Sequence, residues 1–590
     1  MTAHHLRRFI ILFTVVFILI GLLLFRLAYI QLVVAESFSP HKINLLKQSA
    51  QQRQEELILK SGRGAITDRN GEVLTGQIKH VLVMFPLSKK SVQTEQLQKV
   101  AEILHISVPD LLQRMNQSEP MIYKDADGIR FITQQEAEQI NALNIPGILG
   151  LPYELRYPAD KRLASHLLGY LGQNPEWIRN HYSQEVDQGL LQENSVVGIS
   201  GLERTFQPFL QGLGPVSLAY YVDGRGEPLY GLGLKYIADD NPFYPLTVQT
   251  TLDIQLQRAV EEILDNQGVA EGAVVILDSE TSEILALASR PIPQKRDFSH
   301  SSWQNKGLQR FAPGSIFKVV VAAAALEEEL TTMDTAYECP GQLSDSSFKC
   351  WKEEGHGTLT FAQAFYQSCN IVFGQLAEEL GDERLEEYAH KLGLLQLNGW
   401  HTDQLFHLAD FKQLDQEEEG QVFHAGRTQE ERRDPQYLRQ TGIGQLDVQL
   451  SPLAVANMMA AISRGGSKYQ AKAVNAIEYE TGGTFYLFGP KTLEGPSISP
   501  YTAYQLQQLL RGVVTSGTAK KLSSHSLAGK TGTAQGGRND IEHRWFAGFY
   551  PVEKPRYALA VVVLNQKPNE SNRALEVVDE LVDQLEQVGP

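Results

Sequence analysis

The chain has 590 residues, with 53 Lys and Arg against 69 Asp and Glu, a formal net charge of -16 and a pI near 5.5. Such an acid excess excludes a general nucleic-acid binder, which presents a basic face; 42% hydrophobic and 21% charged residues exclude wholesale disorder and a multi-span membrane protein. There is room for roughly two to four domains, and the 3 cysteines are too few for a disulfide framework. Cys339, Cys350 and Cys369 also lack the paired short spacings of a zinc ribbon, so they predict no metal site.

In chain order, Arg7 and Arg8 precede an apolar run that begins at Phe9 and continues past Arg26 to Leu32. Residues 9–32 are long enough to span a bilayer as one helix. The rival reading is a signal peptide cleaved near Val33-Val34-Ala35, but the run exceeds the roughly 7 to 15 residues of a signal-peptide core. By the positive-inside rule residues 1–8 form a cytoplasmic tail, and both readings export everything beyond the span. Residues 33–60, with Gln48, Gln51, Gln52, Arg53, Gln54, Glu55 and Glu56 close together, predict a polar stalk.

From Arg63 to Leu74 two short apolar runs flank Asn70-Gly71, a strong hairpin signal. Residues 75–245 mix short strands with amphipathic helices, and Pro242 and Pro245 mark a boundary. The part from 246 to 590 opens with a strand and a helix at 254–266. Strand-like runs follow at 272–277 and 284–288, and two more appear far along the chain at 545–550 and 557–564. The last is nearly all apolar and predicts a central strand. A closing helix carries Leu575, Val578, Val582 and Leu585 on one face. Strands at both ends of a segment with helices between them predict an α+β domain, its sheet assembled from distant parts of the chain around a helical insertion.

Three motifs carry chemistry. Pro313-Gly314 turns into Ser315-Ile316-Phe317-Lys318, and the residues from Val319 to Leu326 contain no polar group, which predicts a buried helix. Ser315 and Lys318 are three apart on one face, so the amine can reach the hydroxyl and activate it as a nucleophile. S-x-x-K alone is weak, since Ser39/Lys42 and Ser346/Lys349 also match it, yet neither opens a buried helix. Ser368-Cys369-Asn370 places a hydroxyl and an amide two apart in a turn, residue types that are also common in turns with no chemistry. Gly529-Lys530-Thr531-Gly532-Thr533 precedes the strand near Trp545. Lys530, Thr531 and Thr533 on one edge strand suit a carboxylate, and Gly532 would let a substrate backbone come close. The bland reading is a surface hairpin with a solvated lysine.

S-x-x-K, S-x-N and K-T-G in that order resemble the signature of penicillin-binding proteins and class A β-lactamases. Ser368 follows Ser315 by 53 residues and Lys530 follows Ser368 by 162, a wide second interval similar to that of a penicillin-binding transpeptidase. The segment Arg63 to Gly71, Arg156-Tyr157-Pro158, residues 164–170, and Gly198 with Gly201-Leu202-Glu203 resemble the N-terminal interaction domain of class B penicillin-binding proteins. Thr250-Thr251-Leu252-Asp253, Gly442-Ile443-Gly444-Gln445 before Ser451-Pro452-Leu453, and Gly517-Thr518-Ala519 resemble their C-terminal part. The resemblance implies a single-pass protein of the cell membrane with an extracytoplasmic catalytic part: an anchor, a dimerisation or pedestal domain at 61–245, and a transpeptidase domain at 246–590 with an antiparallel sheet flanked by helices and a helical subdomain.

It also implies a mechanism. Ser315 attacks the bond between the terminal D-alanines of a peptidoglycan stem peptide, with Lys318 as base. Backbone N–H groups of Ser315 and Thr533 hold the oxyanion, and Ser368 relays a proton. Asn370 positions substrate and lysine, while Lys530, Thr531 and Thr533 clamp a carboxylate. An amine then resolves the acyl-enzyme into a crosslink, or water into a carboxypeptidase product, without metal or organic cofactor; β-lactams trap the serine. The implied partners are stem peptides, a membrane glycosyltransferase and elongation or division proteins. A β-lactamase is disfavoured because Leu394 stands where E-x-x-L-N needs glutamate before Leu397-Asn398, and a bifunctional enzyme would need a glycosyltransferase domain that 36–245 does not resemble. A non-catalytic scaffold or β-lactam sensor is the remaining rival. Glu327-Glu328-Glu329 and Glu417-Glu418-Glu419 read as solvated charges, 399–436 as a mobile loop, and His543 as a packing residue. Cys339 and Cys350, 11 apart in an exported domain, are candidates for a disulfide staple, the competing reading being two unpaired thiols in a loop, with Cys369 reduced.

Overall fold

The computed structural model describes residues 3–38, 44–45, 53–85, 92–115, 119–126, 128–157, 163–187, 191–223, 229, 234–238, 241–293, 300–344, 347–524, 526–536 and 541–588. Ser39, Lys42, Gln48, Gln51, Gln52, Pro158 and Ser346, used in reading the sequence, lie outside them. Helix Ala3–Leu32 starts before the apolar run and keeps its large apolar side chains exposed along its length. At 30 residues it is about 45 Å long. It is the one helix among the described residues long and apolar enough to cross a membrane.

The chain packs as two compact units. One comprises Met1–Gly62, Ile78–Leu155 and Gly214–Asp240. In it Gln54–Lys60 pairs antiparallel with Val216–Tyr221, which pairs with Lys235–Ile237. Strand Gln77–Met84 gathers Met121–Ile122, Phe131–Ile132 and Ile148–Leu155. Helix Thr94–Leu104 buries Leu97, Val100, Ala101 and Leu104, the spacing of one helical face, in a core shared with Ile140 and Ile148.

The other unit comprises Arg63–Gln77, Arg156–Leu213 and Asn241–Pro590. Two segments inside the expected 61–245 domain therefore fold with the C-terminal part. Their apolar residues explain it: Ile66, Leu167, Leu202, Phe206 and Leu210 share one core with Val248 and Leu252. Ile66–Thr67 pairs in parallel with Thr247–Thr250, and the Asn70-Gly71 turn, with Gly71 at φ +84°, returns the chain to Val73–Thr75. Arg63 and Arg156 both donate to the buried carboxylate of Glu203, through Nε at 2.7 and 2.8 Å.

The main sheet of this unit runs Ile284–Arg290, Gly272–Asp278, Tyr557–Gln566, Glu542–Tyr550, Ala528–Gln535, antiparallel throughout. Its central strand is buried from Tyr557 to Leu564, as the unbroken apolar run predicts. Helices Pro452–Ser463, Ile254–Asn266 and Arg573–Val588 pack against it. Between strands Ile284–Arg290 and Ala528–Gln535 lies the helical region, including Lys318–Glu327, Asn370–Lys391 and Pro500–Ser516. The architecture is the α+β one expected.

Stretch 399–436 departs from the expected loop. It forms the hairpin His401–Leu405/Leu408–Lys412 and the helix Gln429–Arg432. Nor is Glu417 a solvated charge. It accepts the N–H groups of Asn398 and Gly399 at 2.6 and 2.7 Å, and burial raises its carboxyl to about 7. Glu327 accepts from the N–H of Ser499 and Glu328 from the hydroxyl of Tyr388, so these two also have partners.

Candidate active site

Ser315 sits in a 3-10 turn, Gly314–Ile316, that runs into helix Lys318–Glu327, whose residues from Lys318 to Leu326 are all buried. Gly314 has φ +54°, and a Cβ there would lie 2.2 Å from the carbonyl oxygen of Thr533. Glycine thus lets the nucleophile turn lie against the K-T-G strand. The turn is braced on its other side by Gly442-Ile443-Gly444-Gln445: Gly314 N–H donates to the carbonyl of Gly444 at 3.0 Å.

Ser368-Cys369-Asn370 links helix Phe361–Tyr366 to helix Asn370–Lys391. Ser368 takes the left-handed conformation at φ +52°, costly for a non-glycine residue and a common mark of functional turns. Its hydroxyl lies between two fully buried amines, 3.2 Å from Lys318 Nζ and 3.0 Å from Lys530 Nζ. Lys318 also donates to the carbonyl of Ser368 and to Asn370 Oδ1, each at 2.7 Å, and Lys530 to the carbonyl of Thr531 at 3.1 Å. Asn370 Nδ2 donates to the carbonyl of Lys349 at 3.3 Å. The expected hydrogen bond from Lys318 to Ser315 is not formed: the amine is turned to the S-x-N turn.

Neither lysine has a carboxylate within ion-pair distance among the described residues. Burial lowers Lys318 from 10.5 to about 8, against small opposing contributions from the neighbouring thiols. Burial first, and then the charge of Lys318, hold Lys530 well below its ordinary value. Two like charges in one dry pocket cannot both persist cheaply, so the pair tends to shed a proton.

Above these amines opens a cleft of about 420 Å³ lined by Ser315, Ser368, Asn370, Thr531 and Thr533. Alternation along the strand puts Thr531, Thr533 and Gln535 on the cleft. Lys530, of opposite parity, runs beneath the floor. Gly532 also has a structural reason: a Cβ there would meet the carbonyl of Pro313 at 2.6 Å and Ile316 Cγ1 at 2.9 Å, so its bareness admits the nucleophile turn. The cleft also has walls the motifs did not single out, among them Trp351, Gln445, Thr518 and Arg544. Thr518 and Thr531 share a hydroxyl hydrogen bond of 2.7 Å. Thr518 and Gln445 stood within quoted segments, Gly517-Thr518-Ala519 and the Gly442 turn, whereas nothing local marked Trp351 or Arg544. His543 lies off the cleft, its ring 6.2 Å from that of Phe311.

Cys339, Cys350 and Cys369 are free thiols, so of the two readings it is the unpaired one that holds. All three, with His356, have their ligand-type atoms within 4.8 Å of one another. Residue spacing conceals this cluster, because only the fold brings His356 and the three cysteines together.

The penicillin-binding protein transpeptidase domain model matches residues 272–585, more than half of the chain. The chain belongs to the penicillin-binding protein transpeptidase family. The penicillin-binding protein dimerisation domain matches 58–229, and with it this is a class B penicillin-binding protein. It is 28% identical over 581 residues to stage V sporulation protein D of Bacillus subtilis, covering 95% of this chain and 81% of that protein. It is 26% identical over 551 residues to the peptidoglycan D,D-transpeptidase MrdA of Acinetobacter baumannii, covering 85% and 77%. In fold it resembles a penicillin-binding protein, PBP2, solved in complex with MreC from Helicobacter pylori, with TM-score 0.57 and 22% identity over 91% of this chain and 99% of that one. It also resembles a chain of a peptidoglycan synthase complex that coordinates polymerization and crosslinking, with TM-score 0.65 and 23% identity over 98% of each.

Proposed function

We propose that this penicillin-binding protein is a peptidoglycan D,D-transpeptidase that works through a serine acyl-enzyme on Ser315. The observation that carries the reading is the meeting of two buried, uncompensated amines on the hydroxyl of Ser368 at the floor of the cleft that Ser315 lines.

Lys318 is the base. As a neutral amine it has two hydrogens, which satisfy the two acceptors at 2.7 Å. Its lone pair is then free to take a proton, from Ser368 or from the Ser315 hydroxyl as that oxygen attacks the carbonyl between two D-alanines. Backbone N–H groups of Ser315 and Thr533 stabilise the oxyanion. Ser368, between the two amines, passes the proton to the departing D-alanine. Asn370 fixes Lys318 and the incoming peptide, and Thr531, Thr533 and the field of Lys530 hold the terminal carboxylate, with Gly532 letting that strand lie against the nucleophile turn. The amine of a second stem peptide then attacks the ester and releases Ser315; water in its place gives carboxypeptidation. β-Lactams acylate the same oxygen.

Arg7 and Arg8 before the apolar helix favour a cytoplasmic N-terminus and an exported catalytic part. The relatives named for peptidoglycan synthesis, and the neighbour in complex with MreC, favour partners of cell-wall assembly, a membrane glycosyltransferase among them. Ser315→Ala should abolish covalent labelling by a fluorescent penicillin while circular dichroism stays unchanged. Labelling at the wild-type level would remove Ser315 from its role.

A further inference from the structure

Cys339 ends the strand Ala336–Cys339, Cys350 lies in the loop beyond it, and His356 stands one residue before the paired strand Gly357–Thr360. Cys369 is the middle residue of the S-x-N turn. The four come from three separate pieces of chain, and their donor atoms all lie within 4.8 Å of one another. Three buried thiols around one imidazole are more sulfur than packing or a single disulfide would use. His356 Nδ1 is 3.5 Å from the Sγ of both Cys339 and Cys350. With zinc bonds of about 2.3 Å to sulfur and about 2.05 Å to nitrogen, a tetrahedral ion separates thiolate from imidazole by about 3.6 Å. Those two contacts are therefore already at the edge length of a tetrahedral site. Nε2 of the same ring is buried without a hydrogen-bond partner, which leaves Nδ1 as the atom turned to the sulfurs.

We propose that Cys339, Cys350, His356 and Cys369 bind one zinc ion in a closed Cys₃His site. Four protein ligands leave no open position, so the ion is structural and takes no part in the reaction. Its effect on the active site is positional, and that part rests on the roles proposed for Ser368 and Asn370. Cys369 is covalently between them, and the residue before Cys350 is Lys349, whose carbonyl accepts from Asn370 Nδ2 at 3.3 Å. An ion holding Cys350 and Cys369 fixes Asn370 from both sides. It also holds Ser368 in its left-handed conformation under the two amines. Between the two cysteines and the histidine, Cys350 N–H donates to the carbonyl of Gly341 at 2.7 Å and Phe348 is buried in the core. Coordination adds its binding free energy to that of folding here.

The full-length chain, purified in detergent with reductant and without chelator, should carry about one zinc per chain by elemental analysis. Cobalt in its place should give thiolate charge-transfer and tetrahedral d–d absorption in the wild type, a readout that needs no variant to fold. Cys339→Ser and His356→Ala should lose the stoichiometric metal. Stripping zinc from the wild type should slow penicillin labelling of Ser315 about tenfold or more, and added zinc should restore it. A folded, labelling-competent chain with three titratable thiols and no metal would overturn the site, as would one free thiol with a Cys339–Cys350 disulfide. Bound zinc whose removal leaves labelling unchanged would overturn its hold on the S-x-N turn. Loss of labelling in metal-replete protein would count against the proposed function and not against the site, because metal content and the cobalt spectrum are read independently.

Discussion

Arg63 and Arg156 are two buried guanidinium groups that share the carboxylate of Glu203, while Lys318 and Lys530 are two buried amines that share only the hydroxyl of Ser368. Both arrangements lie in the larger unit, and they handle buried charge in opposite ways. Arginine keeps its proton in any protein environment, so a buried pair must be given a counter-ion. Glu203 supplies it, aided by Gln207 Oε1 and the carbonyls of Glu203 and Gly64, which accept from the two forks. The result ties Arg63, near the start of one segment, to the turn after Gly201. Lysine can give its proton up. Without a counter-ion, burial lowers Lys318 to about 8 and Lys530 well below its ordinary value, and the pair becomes a proton acceptor next to Ser315. Compensated cations hold the fold; uncompensated ones run chemistry.

The contrast can be broken from either side. Lys318→Arg fixes a charge where a neutral amine is needed, and penicillin acylation should fall by about a thousandfold, the usual order of a general-base contribution. Stopped-flow or gel-based labelling rates measure it, and a loss below tenfold would mean that another group takes the proton. Glu203→Gln removes the carboxylate charge that the two guanidinium groups share. It should cost about 3–5 kcal/mol of stability by denaturant or thermal unfolding of the full-length chain, while the pH dependence of acylation in the remaining folded protein stays that of the wild type. Unchanged stability would show that Arg63 and Arg156 do not depend on that carboxylate. The smallest effect is reserved for His543→Gln. Burial lowers this imidazole, but it lies off the cleft against Phe311, so acylation should change less than about twofold. A larger loss, with the fold intact, would bring His543 into the mechanism.

Much of this was legible from residue order alone. The apolar helix after Ser315 announced a buried wall, the run 557–564 announced the central strand, and Asn70-Gly71 announced its turn, because each is a local pattern with a local physical cause. What escaped is tertiary. Segments 63–77 and 156–213 join the larger unit through core residues such as Phe206, whose ring meets those of Phe411 and Phe488 more than two hundred residues away. Glu417 sits in a run of three glutamates and looks solvated until the fold delivers the N–H groups of Asn398 and Gly399 to it. Gly532 is bare where Pro313 and Ile316 approach it, a contact that residue order does not reveal. The spacings 11, 6 and 13 along Cys339, Cys350, His356 and Cys369 match no metal motif, since a strand end, a loop and a helix–helix turn meet only in the folded chain.

The central claim is that the buried lysine pair loses a proton in an accessible pH range and that this proton gates the attack by Ser315. The second-order rate constant for penicillin acylation of the wild-type protein, followed from about pH 6 to about pH 9.5, tests it most directly. Below about 8 Lys318 is mostly an ammonium and cannot accept, and above it the neutral amine is available, so the rate should climb roughly tenfold per pH unit on the acidic side and level off above about 8. Lys318→Arg should be slow and flat across the same range. A wild-type rate independent of pH across that interval, or one that falls as pH rises through about 8 while the protein stays folded, would contradict the account.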